Sequence, residues 1–232
     1  ISIYPFINGK LYKGTRKQLF SSVKEIIKLY LALSKAKKKY NGLNSFNYFS
    51  GKESNLLNKF LKNKNSINRK FKNTENFSIL PYIPLIIFEW KRLSKKKIYK
   101  GPKQLSYTDI HPHNIILKSC NVKGILDVTS IRFMPSGYSL AYGLLKLLRQ
   151  YIYFNKIKKK NFSHITKKLI RMINLNLKTN FTSEEFEDLA VSEVLRRILF
   201  ILTSILEKKD DTLNHIMPLL VRNLVECKLL FK

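Results

Sequence analysis

The chain has five aspartates, Asp109, Asp127, Asp188, Asp210 and Asp211, and two of them stand apart from the rest. Between Glu89 and Glu184 the only carboxylates are Asp109 and Asp127, 127 − 109 = 18 positions apart. Each follows a short apolar run, so an antiparallel pairing of those runs would bring both to one edge. Two carboxylates in a cationic chain attract a divalent ion, and hard oxygen ligands beside phosphate are the usual environment of Mg²⁺. A plainer reading is that each pairs with a lysine on a solvated surface.

Asn114 adds to the first reading. In Asp109-Ile110-His111-Pro112-His113-Asn114 a carboxylate and a carboxamide lie five positions apart, with Pro112 stiffening the turn between them. A carboxamide oxygen is a neutral metal ligand, and an aspartate orients a hydroxyl by accepting its proton. Phosphoryl transfer asks for these parts: a hydroxyl-positioning Asp, an Asn and a second Asp on the metal. The same run also contains Asp-x-His-x-His, whose alternation suits zinc or iron on an extended strand. Pro112 spoils that strand, and His164 and His215 lie in helical patterns without companion ligands.

Tyr107-Thr108-Asp109-Ile110-His111-Pro112-His113-Asn114 followed by Ile125-Leu126-Asp127 resembles the catalytic and metal loops of the aminoglycoside phosphotransferase and choline kinase family. That family has a protein-kinase-like fold and reads His-Gly-Asp-x-His-x-x-Asn, then apolar-apolar-Asp-Phe. The resemblance implies Asp109 as catalytic base, and Asn114 and Asp127 as Mg²⁺ ligands on the nucleotide side. It makes His111 a loop-organising or phosphate-side residue. It also implies ATP as donor, a hydroxyl on a small molecule as acceptor, and no specific nucleic-acid or membrane partner. Pro135 to Ala141 resembles the family's Pro-x-x-Tyr-Asp-Leu-Ala helix start, and Tyr4-Pro5-Phe6-Ile7-Asn8-Gly9 its hinge between lobes.

Four positions depart from the family pattern: Tyr107 for the first histidine, Thr108 for glycine, Val128 for phenylalanine and Ser139 for the helix aspartate. The sequence shows no glycine-rich phosphate loop, and its 8 glycines are not clustered. With residues 4–9 as hinge, the nucleotide-gripping β-rich lobe is absent, and a fragment or one half of a split enzyme is expected. A catalytically inactive remnant is the alternative.

The elements that must hold these loops read as mostly helical, an α+β class. Thr15 caps a helix in which Leu19, Val23, Ile26, Ile27 and Tyr30 recur at three- and four-residue steps. Further helices are expected near 83–96, 138–153, 162–177, 183–207 and 212–230. Thr182 with Glu185 forms a capping box, and Pro218 starts or kinks the last helix. Between them, 105–107, 115–117 and 124–127 read as short strands, with Asn121 to Gly124 as the hairpin connection. The organisation expected is a hinge remnant at 1–14 and a kinase-like C-terminal lobe at 15–232, with a variable, mobile helical insertion near 40–80. That insertion and the C-terminal helices would supply the acceptor surface.

Composition bounds the rest. The 44 basic and 15 acidic residues give a net charge of +29. A polyanion binder would favour arginine's planar fork, yet only nine arginines occur and the lysines are scattered through every segment. Nucleic-acid binding stays open as a third class. The two cysteines form no motif, no apolar run is long enough to span a bilayer and no secretory signal is visible, so a cytoplasmic location is expected.

Overall fold

The computed structural model describes residues 7–36, 51–71, 77–96, 102–127 and 129–232. The hinge motif's Tyr4, Pro5 and Phe6, and Val128, lie outside the described residues. Eight α-helices and five short strands are present among those that are described.

Helix α1 (Arg16–Lys35) begins where the sequence places its cap: the Thr15 hydroxyl accepts from Gln18 N–H, and the Gln18 side chain reaches back to the Thr15 amide. Its apolar stripe, Leu19, Val23, Ile26, Ile27 and Tyr30, is buried. This stripe packs mainly on α5 (Tyr138–Phe154) and α6 (Phe162–Leu177). Helix α7 (Ser183–Glu207) runs through the molecule's centre, opened by the Thr182–Glu185 capping box, and α8 (Met217–Leu230) packs along it with Pro218 in its first turn. Those helix expectations coincide with the observed elements to within a few residues.

Wherever it is described, the region near 40–80 is largely helical. Helices α2 (Gly51–Lys62) and α3 (Lys64–Phe71) drive Leu56, Leu57, Phe60, Ile67 and Phe71 into the core, with α2 against α7. Helix α4 (Ile83–Lys95) is fastened to α7 and α8 by ion pairs. Arg92 bonds the buried Glu89 at 2.7 Å and also Asp188, Lys96 bonds Asp188 at 2.7 Å, and Lys228 stands 3.0 Å from Glu89. Burying Glu89 without those cations would be costly.

The strands form two small antiparallel sheets. In one, β3 (Ile115–Lys118) lies between β1 (Lys10–Leu11) and β4 (Asn121–Ile125). In the other, β2 (Lys103–Tyr107) pairs with β5 (Ile131–Pro135), aligning Tyr107 with Ile131. Two expectations are corrected here. The β3–β4 turn sits at Ser119 and Cys120, where Ser119 takes a φ of 57°, and Asn121 to Gly124 is strand. The partner of β2 is a strand not read from the sequence, ending at Pro135 just ahead of α5.

Candidate active site

The two sheets present their loops to one another through Tyr107. Its ring is fully buried at the end of β2, and its hydroxyl donates to the Leu126 carbonyl at 2.9 Å. The same hydroxyl accepts from Asn114 Nδ2 at 2.9 Å. Asn114 Nδ2 also donates to the Asp109 carbonyl at 3.0 Å, and the Asn114 carbonyl accepts from Leu126 N–H at 2.8 Å. Thus four hydrogen bonds converge on Asn114 and Tyr107, and two of them, both to Leu126, tie the loop after β2 to the loop after β4. Burial pushes the Tyr107 phenol up to about 12, and the charges of Asp109 and Asp127 both act on it in the same direction. Tyr107 therefore stays protonated and lies within electrostatic reach of both carboxylates.

Asn114 is buried, and its amide nitrogen is spent on Tyr107 and Asp109. The side-chain oxygen is the atom left for a ligand. Asp127 is exposed, in the left-handed backbone region at φ 51°, with one oxygen accepting from the Thr129 hydroxyl at 2.6 Å. No lysine or arginine among the described residues pairs with it. An uncharged carboxamide oxygen and an exposed, unpaired carboxylate are donors of the hard type that suits Mg²⁺.

Asp109 is placed differently. Its Oδ1 accepts from Arg197 Nη2 at 2.8 Å, and its Oδ2 lies 3.5 Å from His111 Nε2. His111 Nδ1 accepts from His113 N–H at 3.3 Å, which assigns the ring proton to Nε2, facing the carboxylate. His111 and Arg197 together hold the Asp109 carboxyl well below the usual carboxylate range. Among the described residues no three His, Cys, Asp or Glu side chains are arranged to hold a metal, so Asp109, His111 and His113 do not form the alternative zinc or iron site.

Arg197 was not singled out by its sequence context. It comes from α7 and is itself held by the fully buried Glu193, whose Oε1 accepts from Arg197 Nε at 2.7 Å. Glu193 also takes two bonds of 2.6 Å from Arg196 and one from the Tyr138 hydroxyl. Arg197 further donates to the Thr108 carbonyl at 3.2 Å and stacks 4.8 Å from the Tyr142 ring centroid. Acid, guanidinium and aspartate form a relay of alternating charge from the core to the loop. The one available signal was the Glu193, Arg196, Arg197 spacing on a single helix, an i, i+3, i+4 pattern that reads as surface pairing.

Asp109 opens onto a cavity of about 1020 Å³. Helices α5 and α8 form much of its wall, including Tyr142, Lys146, Arg149, Arg222 and Glu226. None of the described residues of the 40–80 region lines it, in contrast to the expected acceptor surface.

The fold is similar to that of a solved choline kinase. Choline kinase from Cryptosporidium parvum Iowa II superposes with a TM-score of 0.54 over 98% of this chain and 72% of that one, at 11% identity. The ADP-bound aminoglycoside phosphotransferase APH(2'')-Ib gives a TM-score of 0.41 over 97% and 71% of the two chains, also at 11% identity. No family model and no curated protein matches the sequence. The chain is thus mostly helical, with small antiparallel sheets, and has a kinase-like fold. No helix among the described residues is long and apolar enough to cross a membrane.

Proposed function

We propose that the chain carries the catalytic machinery of an ATP-dependent phosphotransferase acting on a hydroxyl of a small molecule. One observation carries the reading. Asn114 spends its amide nitrogen holding the Asp109 backbone and the Tyr107 hydroxyl, which turns its oxygen into a ligand beside a fixed carboxylate. Asn114 and Asp127 would hold Mg²⁺, which would supply charge neutralisation to the nucleotide's phosphates.

Asp109 takes the acceptor's hydroxyl. Its strongly acidic carboxyl makes it a weak base, suited to aligning the O–H and receiving the proton late. That matches a loose phosphoryl transition state, in which positioning counts for more than early deprotonation. Arg197 and His111 fix the carboxylate's rotamer. Tyr107 does the bracing that a loop histidine would do, which offers a physical account of how the altered loop keeps its geometry.

Titration of ATP with Mg²⁺ into this chain tests the reading, followed by slow ATP hydrolysis with water as acceptor. Asp127→Asn should weaken nucleotide binding at least tenfold. Asp109→Asn should keep the binding and lose hydrolysis. The reading fails if the chain binds no nucleotide, or if Asp109→Asn hydrolyses as fast as the parent.

A further inference from the structure

Six basic and two acidic residues line the cavity beside Asp109. That ratio only repeats the 44 to 15 of the whole chain, so the number of cations by itself says nothing. Their pairing is what separates them. Arg197 is matched by Asp109 and Glu193, and Arg149 and Arg222 share Glu226, with Arg222 Nε 2.9 Å from its Oε1. Lys13 and Lys159 are exposed, where water solvates them.

Lys146 fits neither description. It stands on α5, half-buried in the cavity wall, with no ion pair and no hydrogen bond to any described residue. Its ammonium lies 5.3 Å from the centroid of the Tyr142 ring. The same ring already carries Arg197, so the two cations crowd a single aromatic face system. Burial, with Arg149 and Arg197 nearby, lowers the ammonium from 10.5 to about 8. Tyr142, one turn away, has a buried hydroxyl that is also without a partner. A partly desolvated cation beside an unsatisfied hydroxyl is unfavourable unless something anionic completes it.

We infer that the acceptor of this site is an anionic hydroxy compound, whose carboxylate or phosphate oxygens pair with Lys146 while its hydroxyl lies on Asp109. The inference rests on the phosphotransferase reading for the role of Asp109, but the anion site stands on the cavity alone. It sets this pocket apart from one built for a cationic alcohol or a polyamine sugar, which would need carboxylates or unoccupied aromatic faces, not an ammonium, where Lys146 stands. Ile152, Phe162, Leu219 and Leu230 are among the apolar side chains of the wall. The class of reaction upstream is therefore one that delivers a hydroxy acid or a hydroxylated phosphate ester.

Three sugars that differ chiefly in charge provide the test: glucuronate, glucose and glucosamine, each at millimolar concentration with the full chain. Binding is read by saturation-transfer NMR at two salt concentrations, in the parent, in Lys146→Met and in Lys208→Met as an exposed-charge control. Glucuronate should bind at least tenfold more tightly than glucosamine. The preference should vanish in Lys146→Met and persist in Lys208→Met. Equal binding of the three, no binding of glucuronate, or a preference unchanged in Lys146→Met overturns the inference. The Mg²⁺–ATP titration is run on the same samples. Nucleotide binding without charge preference sinks the anionic acceptor alone, and charge preference without nucleotide binding sinks the phosphotransferase alone.

Discussion

Arg197 Nη2 lies 2.8 Å from Asp109 Oδ1, joining α7 to the loop after β2 across 88 positions of sequence. The bond fixes the rotamer and, together with His111, the acidity of Asp109, one of the two carboxylates that line the cavity. Replacing Arg197 with Met keeps the bulk of the side chain and leaves Glu193 its bonds to Arg196. Turnover should fall by about 100-fold, the scale set by an ångström of misplacement. The acidic limb of the pH–rate profile should move up, because Asp109 loses a cation that depresses it. A profile whose acidic limb stays in place would show that Arg197 does not govern the carboxylate.

Tyr107 gives a separable prediction. Tyr107→Phe removes the donor to Leu126 and the acceptor for Asn114, leaving two buried backbone and side-chain groups less well satisfied. Loss of about 1–3 kcal/mol is expected in urea unfolding. Because Leu126 precedes Asp127, Mg²⁺-dependent nucleotide binding should weaken as well. The hydroxyl titrates far above neutral, so neither effect should change between pH 6 and pH 9.

Gly143 on α5 lets the loop after β2 approach. A Cβ there would meet Ile110 Cγ2 at 2.9 Å and Ile110 Cβ at 3.3 Å, and Ile110 is bonded to Asp109. Alanine is the better helix former by about 1 kcal/mol, but overpacking of about 1–3 kcal/mol works against it. The contact atoms belong to a branched side chain near its backbone and cannot swing away. Gly143→Ala should therefore destabilise the protein and lower turnover, and Ile110→Val should not rescue it, since valine keeps both atoms. Thermal unfolding of the single and double variants decides this.

What the sequence disclosed follows the range of the interactions involved. Thr15 with Gln18, and Thr182 with Glu185, act within one helical turn, so spacing alone locates both helix starts. Asp109 and Asn114 are read as a unit for the same reason: Asn114 Nδ2 bonds a carbonyl only five positions away. Ser119 turns the β3–β4 hairpin without a glycine, so Gly124, the visible turn residue, draws the expected turn to the wrong place. Strand β5 reads Ile-Arg-Phe-Met-Pro, with no clean alternation, and becomes a strand by pairing with β2. Arg197 and the cavity arise from packing α5, α7 and α8 together, which no local pattern encodes.

Lys146 carries the last prediction, on stability rather than binding. Its ammonium has a pKa of about 8 in the folded protein against 10.5 when unperturbed, chiefly through burial. Between those values the unfolded chain binds the proton and the folded chain does not, so stability rises with pH across that window. Below pH 8 both states are protonated, and the cost of holding the cation in the cavity wall is felt in full. Lys146→Met should therefore stabilise the free protein at pH 7 by about 1 kcal/mol, with the gain fading towards pH 10.5. Saturating anion should reverse the order at pH 7, because only the parent gains a partner for its charge. Denaturant unfolding of both proteins at pH 7 and pH 10, with and without glucuronate, separates this from a packing effect, which would be the same at both pH values.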